Sequence, residues 1–106
     1  MNSETFEKKI RERIDTCLAV LCDKAKEYAT EDRLHNFKVA ANMQNCTPVK
    51  ALAGMMAKHT VSIYDLINDH ESGTHIDMGM WEEKIGDHIN YLLLLTALIH
   101  EENGVD

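Results

Sequence analysis

The sequence predicts an all-α fold, a single bundle-like domain (1–106) with helices over about 3–29, 33–44, 48–69 and 79–102. Three observations carry that reading. Apolar residues recur with the helical period along the whole chain, while period-two runs of β-branched residues are hard to find. Proline occurs once, directly after Thr47, where a helix start tolerates a missing N–H. A chain of 106 residues that is 44% apolar can bury one core and is too short for two.

Taking the helices in order, Phe6, Ile10, Ile14, Cys17, Leu18, Leu21, Ala25 and Tyr28 form one apolar stripe over 3–29, with dense charge on the other faces. Asn2 or Ser3 can cap its start. Glu4/Lys8 and Glu7/Arg11 are i, i+4 pairs in the favourable order. Thr30 or Asp32 is the expected cap of the second helix, whose inner face holds Leu34, Phe37 and Ala41. Thr47 and Pro48 open the third helix, where Leu52, Met56, His59, Ile63 and Leu66 follow spacings of three and four. Gly54 inside that helix costs about 1 kcal/mol against alanine, so a closely approaching neighbour is expected there. Asp77 is the expected cap of the last helix, after a polar loop that includes His70, Gly73 and His75.

Composition narrows the function classes. Eighteen acidic against eleven basic residues give a net charge of −7, which argues against direct nucleic-acid or anionic-membrane binding. A small phosphorylated ligand remains compatible, because a few lysines and a metal hold one. Cys17, Cys22 and Cys46 form no CxxC pair, and no apolar run approaches the length of a membrane span. A reduced, cytoplasmic setting is therefore expected.

The last helix carries the chemistry. Trp81, Ile85, Ile89, Leu92 and Ile99 share one side, while Glu83, Asp87, Asn90, Leu94 and Ala97 form a second stripe. Acids entering so apolar a helix are costly unless paired, protonated or bound to a cation. If the third and fourth helices form a hairpin, Asp65 and Asp69 come near Glu83 and Asp87, and Mg²⁺ suits such a gathering of carboxylates. Lys24, Lys26, Arg33, Lys38 and Lys58 are candidate phosphate partners. The apolar surface of Leu92 to Leu95 exceeds what a short bundle covers, so a homodimer is expected.

These residues carry a family resemblance. Glu83 to Asp87, E-K-I-G-D, resembles the E-E-x-G-D turn of MazG-like all-α NTP pyrophosphatases. Glu83, Asp87, Asn90 and Tyr91 look still more like the small phage and prophage proteins of the nucleotide-modification-associated domain 1 type, whose K-x-x-D-Y-G is echoed by Lys24, Glu27, Tyr28 and Ala29. The likeness implies carboxylate-bound Mg²⁺ at Glu83 and Asp87 and a nucleoside triphosphate beside Asn90; the hairpin level adds Asp65 as a metal ligand, and Lys24 and Lys58 stand as phosphate partners from their positions. The likeness further implies attack of water on the α-phosphorus, with Glu83 and Asp87 catalytic and pyrophosphate released. Lys84 departs from the pattern, standing where the pyrophosphatases keep a second Glu. The alternative is a non-enzymatic acidic phage or prophage protein that meets a basic host surface.

Overall fold

A computed structural model describes residues 1–24 and 32–104, with the side chain of Lys24 outside that description. The chain is all-α, as expected: α1 (Ser3–Leu18), a π-helical continuation (Ala19–Lys24), α2 (His35–Gln44), α3 (Pro48–Glu71) and α4 (Met78–Glu102). No strand occurs among the described residues.

Capping chemistry sets most of the boundaries. The Asn2 side-chain oxygen accepts the Thr5 N–H at 2.9 Å, Thr47 Oγ1 accepts from Lys50 at 3.2 Å, and Asp77 Oδ1 accepts from Met80 at 3.0 Å. Of the two i, i+4 pairs on α1, Glu7–Arg11 closes at 3.0 Å. The second helix starts two residues later than its sequence indicates. Asp32 does not cap it; its Oδ1 accepts the Leu34 N–H at 3.0 Å in a local turn, and Arg33 donates to the Leu21 carbonyl at 2.8 Å. Thr30, the other expected cap, lies outside the described residues. Asn45, with φ 54°, ends α2 in the left-handed region that asparagine tolerates.

The expected uninterrupted α-helix over 3–29 is not what forms. From Ala19 the hydrogen bonding widens to the π pattern, which takes the residues after it off the phase of the α1 stripe. Ala25 and Tyr28, the last members of that stripe, lie outside the described residues.

Packing is uneven along the molecule. The core joins Leu34 and Phe37, before and in α2, to Leu52 of α3 and Leu98 of α4, with Met56, Tyr91, Leu94 and Leu95 packed against it. Lys38 adds a polar strap, reaching both Asp32 and Glu101 at 2.6 Å. α3 and α4 run antiparallel, His59 meeting Asp87 while His70 meets Trp81 nearer the connecting turn.

α1 touches α4 instead, and the two run parallel. Arg13 Nη1 donates to the Glu82 carbonyl at 3.3 Å, and the Cys17 thiol faces the Gly86 carbonyl at 4.0 Å, a step of four on both helices in the same direction. On the α1 stripe only Cys17 is buried; Phe6, Ile10, Ile14 and Leu18 are exposed.

The Ile85, Leu92 and Ile99 side of α4 faces outward, because the opposite side packs on α1 and α3. One further expectation is corrected. Among the described residues a Cβ at Gly54 would meet nothing within 4 Å; the glycine at a helix contact is Gly86, where a Cβ would meet the Arg13 guanidinium at 3.9 Å and Cys17 Sγ at 4.0 Å.

Candidate functional site

The parallel contact of α1 and α4 leaves a groove of about 270 Å³, small beside ordinary ligand pockets. Its α4 wall carries Glu83, Asp87 and Asn90 with Gly86 between them; its α1 wall carries Arg13, Thr16 and Cys17. The helical repeat places the three α4 side chains together, being four and then three residues apart. Gly86 and Cys17, both small, let the backbones approach.

Depth along the groove differs by residue. Glu83 is exposed at the rim, and the Asp87 side chain is 41% exposed. Asn90 is buried at 9%. Among the described residues two buried polar atoms here have no partner: Asn90 Oδ1, an acceptor, and Arg13 Nε, a donor. An unpaired buried polar group costs about 1–3 kcal/mol, which a ligand satisfying it would relieve. Asp87 also lies between the groove and α3. Its Oδ2 stands 3.9 Å from His59 Nδ1, an ion-pair separation too long for a hydrogen bond. The His59 ring in turn packs on Tyr91, centroids 4.7 Å apart.

The structure thus brings Glu83, Asp87 and Asn90 to one place. It does not bring Asp65 or Asp69 there. Asp65 is exposed on α3, about a third of a turn round from His59, and Asp69 is exposed too. The expected gathering of four carboxylates is therefore corrected: among the described residues no three of His, Cys, Asp and Glu assemble into a metal-binding group. Lys58 is exposed on α3 and does not line the groove. Arg33 and Lys38 are occupied by the Leu21 carbonyl and by Asp32 and Glu101. The Lys24 side chain, Lys26, Glu27 and Glu31 lie outside the described residues.

Arg13 is the cation that sequence reasoning missed. Among so many charges on the first helix it reads as solvated. Its one signal is position, four residues before Cys17 and so on the same face as the stripe residue that is buried.

The donor set is compatible with a hard cation. Two carboxylates one turn apart and a carboxamide oxygen are the kind of ligand Mg²⁺ takes, and Mg²⁺ fills the rest of its shell with water and substrate phosphate. Opposite them, Arg13 offers a planar guanidinium of the kind that pairs with phosphate oxygens.

No helix among the described residues is long and apolar enough to cross a membrane. No family model matches the chain, and neither a curated protein nor a solved structure does.

Proposed function

We propose that the α1/α4 groove binds the phosphate chain of a nucleotide, with Mg²⁺ held by Glu83 and Asp87. The observation that supports this is the buried, unpartnered Asn90 Oδ1 in a groove that also holds two carboxylates and a guanidinium. Arg13 would take phosphate oxygens, Asn90 would orient a donor group of the ligand, and Glu83 and Asp87 would face the cation. When bound, the ion supplies neutralisation and Lewis-acid polarisation of the phosphates. The activity that follows is hydrolysis of a nucleoside triphosphate to a monophosphate and pyrophosphate, in the cytoplasm of a bacterial host if the chain is of phage type. Asp65 has no part in this reading, and Lys58 gives way to Arg13.

The test is thermal denaturation with Mg²⁺ and a panel of nucleoside triphosphates, together with a pyrophosphate-release assay. Selective binding to the folded state raises stability by RT ln(1 + [L]/Kd), about 2.7 kcal/mol at a hundredfold excess over Kd. Glu83→Gln and Asp87→Asn should abolish the shift while the helical signal stays intact. A wild-type protein indifferent to every nucleotide would sink the proposal. The acidic-interaction alternative is favoured by a different observation, the exposed Ile85, Leu92 and Ile99 on a helix rich in acids. It predicts no nucleotide shift.

A further inference from the structure

The exposed stripe on α1 has an unusual origin. Phe6 and Ile10 lie on the same helical face as Cys17, the face that packs on α4 lower down. Because the helices run parallel and in step, Ile10 is level with Gly79, and α4 begins at Met78. α1 therefore overhangs its neighbour. Phe6 at 58% and Ile10 at 48% exposure are a continuation of the packed face that the other described residues leave open.

The accessible surface shows that the molecule as a whole leaves more uncovered than a compact monomer does. A compact monomer of this mass exposes about 6,000 Å², whereas this chain exposes 7901 Å². The excess of about 1,900 Å² falls within what each partner of an obligate homodimer buries, roughly 1,000–2,500 Å². The radius of gyration tells the same story, at 16.1 Å against about 13 Å for a compact domain of this length.

Charge decides what covers the stripe. The chain as a whole is strongly acidic, but α1 carries as many basic as acidic residues, interspersed along its length. Of the three long helices α1 alone carries no net formal charge, so a second acidic copy settles there with the least like-charge repulsion. A nucleic acid would prefer a cationic face, and a basic partner would prefer α4. A balanced, mixed-sign face is suited to isologous pairing, in which one patch meets itself.

We infer that α1 is the interface of a homodimer, the stripe Phe6, Ile10, Ile14 and Leu18 of one copy closing on that of the other. The inference stands without the nucleotide reading, since its readout is mass.

Sedimentation velocity from about 1 to about 100 µM, spanning typical dimer affinities, tests it. The wild type should sediment as a dimer with a low-micromolar or tighter dissociation constant. Ile10→Glu should weaken association about a hundredfold or more, because it places an unpaired charge in an apolar interface. Val61→Glu, at a still more exposed apolar position on α3, should leave the dimer intact. A monomeric wild type over the whole range, or an Ile10→Glu protein that still dimerises, overturns the inference. If circular dichroism shows Ile10→Glu unfolded, hydrogen exchange of the wild type above and below its dissociation constant decides. Loss of protection over 3–18 on dilution supports the α1 interface, and concentration-independent exchange there refutes it.

Discussion

The two halves of α4 do opposite things. Its C-terminal half seals the core, with Tyr91, Leu94, Leu95 and Leu98 set against Leu34, Phe37 and Leu52. Its N-terminal half meets α1 through Gly86, Asp87 and Asn90, where contacts are small or polar and two buried atoms are left without partners. One half lowers the free energy of the fold, while the other tolerates unmet hydrogen-bonding demand. Such a division is expected where stability is drawn from one place and ligand chemistry from another.

Substitutions can break that contrast, and the largest effect belongs to the sealed half. Leu52 is fully buried, so Leu52→Ala should cost about 3 kcal/mol from lost transfer energy and the cavity left behind. Urea denaturation would read this as a lower midpoint with an unchanged slope. At the open half the sign reverses. Asn90→Leu removes the orphaned acceptor and should be neutral or stabilising by about 1 kcal/mol, while any nucleotide-dependent thermal shift disappears. A destabilisation of the size seen for Leu52→Ala would make Asn90 a structural residue and remove the division.

The smallest effect is the polar strap beside the core. The Asp32 carboxyl is held below the usual carboxylate range by its hydrogen bond from Lys38 and then by the Leu34 N–H; Lys38 is held above the usual lysine range by Asp32 and then by Glu101. The stabilisation linked to Asp32 is present above the unfolded carboxylate value, about 4, and fades as pH falls through the lowered one. That linked to Lys38 is complete below about 10.4 and fades as pH rises through the raised value. All three side chains are substantially exposed, so solvent screening keeps the effect slight. In thermal melts taken across pH, Lys38→Met should flatten both limbs, most visibly below about pH 4; an unchanged acid limb would show that the strap contributes nothing.

Much of this fold could be read from the chain. Thr47-Pro48 and Asp77 marked two helix starts because capping is local chemistry. The Leu52 to Leu66 stripe and the grouping of Glu83, Asp87 and Asn90 follow from the helical repeat. Periodicity tells which residues share a face but not what lies opposite, so the outward side of α4 and the uncovered α1 stripe were beyond its reach. For the same reason Gly54 drew attention that belonged to Gly86. Level along the hairpin puts Asp65 near the site, and rotation about the α3 axis takes it away. Arg13 was hidden among charges, and the sequence carries no marker for the π-helical turns.

The parallel setting of α1 beside α4 also governs the order of events in folding. Arg13 and Glu82 are 69 residues apart in the chain, more than twice the separation of His59 and Asp87, so bringing them together costs about 0.8 kcal/mol more in loop-closure entropy. Few apolar contacts reward that closure. Closure entropy therefore favours the antiparallel pair ahead of the groove, which needs the leading helix to dock.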